Sequence, residues 1–196
     1  NFEDKNITVI PNATKNQILD AFDKLEQELK ENDNLLIVYS GHGGIDNRKG
    51  KTYWCPSDAK TYRDMITDDT IAGYLTSFES NNVLVIADAC FSGGILRHKG
   101  SETSIPKAAK ELHRIKSRKV MSAADETYSP DPSQFMKFII KTLNEYDGSF
   151  LSSQTLFNRI QEPVINNVEK NSSMPQWGPM RKTGDEGGDF IFIKNN

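Results

Sequence analysis

Val83-Leu84-Val85-Ile86-Ala87-Asp88-Ala89-Cys90-Phe91-Ser92-Gly93-Gly94 decides the architecture of this chain. Val83 to Ala87 is an unbroken apolar run of strand length, the pattern of a strand covered on both faces. The run stops at Asp88 and Cys90, and the paired glycines beyond them allow a sharp turn and close backbone approach. Open α/β sheets bind their ligands beyond the carboxyl ends of such strands. A cysteine and a carboxylate at this place are therefore candidates for chemistry.

Upstream, Leu35-Leu36-Ile37-Val38-Tyr39-Ser40-Gly41-His42-Gly43-Gly44 repeats the layout with a histidine. Two such strands running parallel would end at one sheet edge and bring His42 to Cys90, a base beside its nucleophile.

YSGHGG (Tyr39 to Gly44) and DACFSGG (Asp88 to Gly94) resemble the histidine and cysteine motifs of the caspase-like cysteine peptidases. The likeness is greatest to the metacaspase and bacterial caspase-like branch, the peptidase C14 type. His42 precedes Cys90 by 48 residues, against about 50 in caspases. It continues through Tyr53 to Asp58 and through Gly184 to Phe190. The resemblance implies a three-layer α/β/α caspase-like sandwich around a mostly parallel sheet. It also implies a thiol protease with a Cys90–His42 dyad and no obligatory third side chain. The family fold opens with a strand from the middle of its sheet, whereas the match here starts at the second strand. One caspase-like peptidase domain over 1–196 is thus expected, its first strand missing from this chain and supplied by a companion N-terminal chain or by sequence outside this stretch.

Bulk properties agree with one soluble domain. A chain of 196 residues can bury a real core. The net charge of −3 argues against a nucleic-acid partner, and the longest apolar runs are too short to span a membrane. With two cysteines, Cys55 and Cys90, a metal-type pair spacing is impossible. A disulfide between them would consume the nucleophile, so two free thiols in a reducing, cytoplasmic setting are expected.

Along the chain, Asn6 to Ile10 reads as a short strand. Thr14 and Gln17 form a capping box for a helix with Ile18, Phe22, Leu25 and Leu29 on one face. Positions 43–63 read as a loop with a short strand or hairpin. Thr67 caps a helix with Ile71, Tyr74, Leu75 and Phe78 inward. Pro106 suits a helix start, Lys119 to Ala124 a buried strand, and Asp131-Pro132 the start of a helix carrying Phe135, Phe138, Ile139 and Leu143. Ser152 opens a last helix that Pro163 is expected to kink or break. Positions 166–188 read as a polar segment, and Phe190 to Ile193 as the strand that closes the sheet.

The chemistry rests on residue types. His42 can take the thiol proton and return it to the leaving amine. The backbone N–H groups of Gly43 and Cys90 are the natural oxyanion donors. Strand alternation puts Asp88 and Cys90 on one side, and Ser40 and His42 likewise. A carboxylate raises a neighbouring thiol's pKa, the wrong direction for activation. At roughly 6 Å and an effective dielectric of about 20 this costs about 3 kcal/mol, or ~2 pKa units. A cationic substrate side chain between them would cancel it. That predicts cleavage after Arg or Lys, with Asp88 as pocket carboxylate and Ser40 as a wall; the competing reading is that Asp88 caps a turn.

The resemblance points the same way, because metacaspases carry aspartate here and cut after basic residues, whereas Asp-specific caspases carry glutamine. Some metacaspases bind calcium through aspartates in this region. Asp68 and Asp69 are equally explained by a helix first turn, and with Asp58 they are assigned no metal; no cofactor is expected. His98 and His113 read as solvated, Trp54 and Trp177 as packing, and Arg97 as a conceivable autocleavage point. The substrate is then a protein or peptide with a basic residue before the scissile bond, and an activator protein is conceivable. The rivals are an inactive caspase-like scaffold and an Asp-specific protease.

Overall fold

The computed structural model describes residues 2–46, 48–90, 106–124, 133–167 and 174–194. The Thr14 hydroxyl accepts the Gln17 N–H, and Gln17 Oε1 takes the Thr14 N–H at 2.9 Å, starting α1 (Lys15–Glu28) as its capping box predicts. Ile18, Phe22 and Leu29 are buried, with Leu25 packed beside them. Next come β1 (Asn34–Ser40), the hairpin β2 (Gly43–Asp46) and β3 (Lys51–Trp54), and the short β4 (Ile66–Thr67) beside β3. The Thr67 hydroxyl accepts from the Thr70 N–H to cap α2 (Asp68–Ser77). The remaining elements are β5 (Asn82–Cys90), α3 (Pro106–Arg114), β6 (Ser117–Ala124), α4 (Gln134–Glu145), β7 (Phe150–Ser152), α5 (Ser153–Asn167), β8 (Gln176–Pro179) and β9 (Ile191–Ile193).

The central sheet has the order β1-β5-β6-β8, with the first three strands parallel and β8 antiparallel. β5 is sandwiched by two cores, which is why its sequence is apolar without alternation. Val83, Val85 and Ala87 pack with α1 and α2, whereas Leu84 and Ile86 join Phe135 and Ile139 of α4 and Leu156 and Ile160 of α5. β6 divides in the same way, Val120 to the first core and Met121 and Ala123 to the second. This is the expected three-layer α/β/α sandwich with a mostly parallel sheet.

Several local readings are corrected. Among the described residues, positions 6–10 form no strand; Asp4–Asn6 is a short 3-10 helix, and Ile7 and Val9 stand 51% and 79% exposed. Strand-forming residues become a strand only when paired with a neighbour, and among the described residues these pair with none, the outer edge of β1 included. β9 does not close the central sheet but pairs antiparallel with β7, Phe150 opposite Ile193. The edge next to β6 is taken by β8, from within the stretch read as polar.

α5 runs through Pro163 to Asn167, whose side-chain amide donates to the Pro163 carbonyl at 2.8 Å. α4 is capped by Ser133; Asp131, Pro132, the loop with Arg97 and His98, and Ser92 to Gly94 lie outside the described residues. His113 is only partly exposed: its Nδ1 is buried without a hydrogen-bond partner among the described residues, and burial pushes its pKa down.

Candidate active site

β1 and β5 pair in parallel register from Asn34 opposite Asn82 to Ser40 opposite Asp88. The last residues of both strands therefore stand at one edge. The Gly41 N–H reaches the Asp88 carbonyl at 3.4 Å, extending the ladder one step towards His42. Ser40 and His42 are exposed, and Gly43 is half-buried.

His42 sits in the two-residue link between β1 and β2, and its main chain is firmly held. Its carbonyl accepts the Cys55 N–H at 2.8 Å and the Tyr39 hydroxyl at 2.6 Å. The Tyr39 ring stacks on Trp54 with centroids 4.3 Å apart and planes 5° from parallel. Burial pushes the Tyr39 phenol up to about 12, against the lowering effect of its bond with the Cys55 backbone. Trp54 is thus a packing residue, as expected. Cys55 carries a free thiol, half-buried.

Cys90 is the last residue of β5 and is paired with Ala124 of β6. Between Ala87 and Cys90 the pairing slips: three steps along β5 match two along β6, from Ser122 to Ala124. Such a bulge adds one residue to the ladder.

Asp88 is only 7% exposed, and its Oδ1 accepts the Ser133 hydroxyl at 2.7 Å. The same hydroxyl accepts the Met136 N–H at 3.2 Å and caps α4. The carboxylate is thereby tied to a helix N-terminus, where negative charge is favoured. No local pattern signals this partner, which lies 45 residues away and takes the cap position expected of Asp131.

The other acidic candidates are occupied separately. Asp58 accepts the Lys15 N–H at 2.9 Å, at the start of α1. Asp68 accepts the Asp69 N–H in the first turn of α2, and burial raises its pKa. Asp69 pairs with Lys51 at 2.7 Å, and that bond lowers its pKa. Among the described residues no three His, Cys, Asp or Glu side chains gather as a metal site, and no helix is long and apolar enough to cross a membrane.

A three-layer sandwich with a histidine motif and a cysteine motif at the carboxyl ends of adjacent parallel strands defines a class, the caspase-like α/β proteins. The caspase domain family model matches residues 2–183, so the chain belongs to the caspase-domain (peptidase C14) family. Solved structures share the fold at low identity. A protein from Geobacter sulfurreducens aligns with TM-score 0.54 and 19% identity, over 94% of this chain and 75% of that one. Caspase-1 from Spodoptera frugiperda aligns with TM-score 0.60 and 16% identity, over 88% of this chain and 70% of that one. No curated protein sequence matches.

Proposed function

We propose that this chain is a cysteine endopeptidase that cuts after Arg or Lys, with Cys90 as nucleophile and His42 as its base. The observation carrying the proposal is the parallel register of β1 and β5, in which Ser40 is opposite Asp88 at one edge of the sheet. In this reading His42 takes the Cys90 proton, and the thiolate attacks the scissile carbonyl carbon. The Gly43 and Cys90 N–H groups stabilise the oxyanion. The imidazolium then protonates the leaving amine, and water, deprotonated by His42, hydrolyses the thioester. Asp88 receives the basic side chain that precedes the scissile bond, with Ser40 beside it.

The bond from Ser133 to Asp88 favours a second reading, in which Asp88 holds the α4 cap and selectivity lies elsewhere. A companion N-terminal segment belongs to the proposal as well. Its support is the outer edge of β1, unpaired among the described residues, with Val38 half-exposed on that strand. A reducing, cytoplasmic setting is supported by the free Cys55 thiol.

The test is hydrolysis of paired Arg- and Asp-ended peptide reporters by the protein and its Cys90→Ala, His42→Ala and Asp88→Ala variants. We expect Arg cleavage to fall at least ~1,000-fold in the first two, as for removal of a nucleophile or base. Cleavage after Asp would keep the nucleophile and reject the Asp88 pocket. No cleavage in any form, with Cys90 inert to an active-site alkylating probe, would favour a scaffold.

A further inference from the structure

The hydrogen bonds around His42 act on its main chain, and their geometry reaches one of the proposed catalytic groups. Gly43 is opposite Trp54 in the β2–β3 hairpin. The ladder bond beside this pair runs from the Cys55 N–H to the His42 carbonyl. In an antiparallel pair bridged by its flanking residues, the pair's own N–H and C=O groups turn away from the partner strand. The His42–Gly43 peptide is one plane, with its C=O and N–H on opposite sides. Fixing the His42 carbonyl towards β3 therefore fixes the Gly43 N–H away from β3.

That carbonyl is held by two donors, and one is a side chain. The Tyr39 hydroxyl gives its proton to His42 O at 2.6 Å and lies 3.2 Å from both the Cys55 N–H and the Cys55 carbonyl. Its ring cannot swing freely, because it is stacked on Trp54, which is buried. Gly41 closes the arrangement from above: a Cβ there would meet the Tyr39 hydroxyl at 3.0 Å and Cζ at 3.1 Å. Glycine at this step of the turn lets the phenol sit under the peptide it holds.

We propose that Tyr39 is a positioning residue of this site: its hydroxyl clamps the His42 carbonyl and so aims the Gly43 N–H at the oxyanion formed during peptide hydrolysis. This inference rests on the endopeptidase reading above. A donor that is aimed in advance stabilises the tetrahedral intermediate without reorganising, so the loss should fall on kcat and spare KM.

The experiment compares the protein with Tyr39→Phe, which keeps the ring and its stack on Trp54 and removes the hydroxyl. Three readouts are taken: steady-state hydrolysis of an Arg-ended reporter, inhibition by an Arg-ended peptide aldehyde, and iodoacetamide alkylation of Cys90 followed by mass of its peptide. Aldehyde adducts need the oxyanion donors, whereas alkylation needs only the thiolate. Removal of a whole oxyanion donor costs about 100- to 1,000-fold, so a misaimed one should lower kcat by ~10- to 100-fold. We expect that loss at nearly constant KM, a parallel weakening of aldehyde inhibition, and alkylation within about twofold of the parent. Gly41→Ala, which displaces the hydroxyl instead of deleting it, should move the same readouts less.

An active parent with Tyr39→Phe unchanged in kcat overturns the inference alone. Loss of alkylation together with kcat also overturns it, because the hydroxyl would then be holding the whole histidine turn. A parent that neither turns over substrate nor alkylates at Cys90 rejects the endopeptidase reading itself.

Discussion

The two ends of the central sheet are both rich in polar side chains and use them in opposite ways. At the amino end the polar side chains bond inward. The Arg118 guanidinium, fully buried, donates to the carbonyls of Leu75, Phe78, Asn81 and Ser117, so it closes the last turn of α2 and the turn into β5. Asp185 accepts the Arg118 N–H at 2.7 Å and the Lys119 ammonium at 2.8 Å. Asn82 donates to the His113 carbonyl and accepts the Ser117 hydroxyl. At the carboxyl end, Ser40 and His42 are exposed, and the bonds hold the main chain beneath them. One end binds the protein to itself; at the other, Asp88 bonds inward to Ser133 while Ser40 and His42 stand exposed on a fixed backbone. The motif-like tail Gly184 to Phe190 thus belongs to the structural end.

The largest effect that would test this contrast is at the Lys119–Asp185 pair, whose side chains are 5% and 10% exposed. Lys119→Met leaves a buried carboxylate without its ammonium, and breaking one partner of a buried pair costs about 3–5 kcal/mol. Urea unfolding should show that loss, while reporter turnover per folded molecule stays unchanged. Lys119→Met with Asp185→Asn, whose amide oxygen can still accept the Arg118 N–H, should recover much of it. A fall in turnover without a fall in stability would mean that the two ends are not separate.

Asp88→Asn tests the other end. Its amide oxygen can still accept the Ser133 hydroxyl, so stability should change by less than about 1 kcal/mol. The charge that would meet a basic substrate is gone, and the kcat/KM preference for Arg over a neutral isostere should fall by ~100-fold, equivalent to about 2.7 kcal/mol. A large loss of stability with selectivity intact would assign Asp88 to the structural set and leave the pocket to other residues.

The same contrast governs what could be read in the sequence. β5 and β1 were legible because burial on both faces, or at an edge, writes itself as an apolar run ending in glycines. α1 and α2 were legible because Thr14 and Thr67 cap them directly. β8 was not, since Gln176-Trp177-Gly178-Pro179 has neither alternation nor an apolar run; β6 makes it a strand by pairing Val120 with Gly178 and Met121 with Trp177. Ile7 and Val9 misled in the other direction: strand propensity is realised only against a neighbour, and among the described residues none is present. At the proposed site, His42 and Cys90 are named from residue type and spacing. The hold of Tyr39 on the His42 carbonyl and the tie of Ser133 to Asp88 depend on where a turn and a distant helix cap come to rest, which no local pattern records.

His113 is the exception that sharpens the comparison, a polar group at the structural end whose buried Nδ1 has no partner among the described residues. Burial lowers its pKa below the ordinary value of 6.5, because the charged imidazolium is penalised there. The unfolded chain then binds the proton more readily than the fold. Its contribution to stability is therefore fully present above pH 6.5 and is lost as pH falls through the lower, folded value. His113→Leu removes both the titration and the orphaned nitrogen. Urea midpoints at pH 7.5 and 5.5 should accordingly differ less in the variant than in the parent, an effect smaller than either of the two above. Equal differences in both proteins would mean that the imidazole finds a partner or water on protonation, and that the amino end of the sheet is open to solvent at this point.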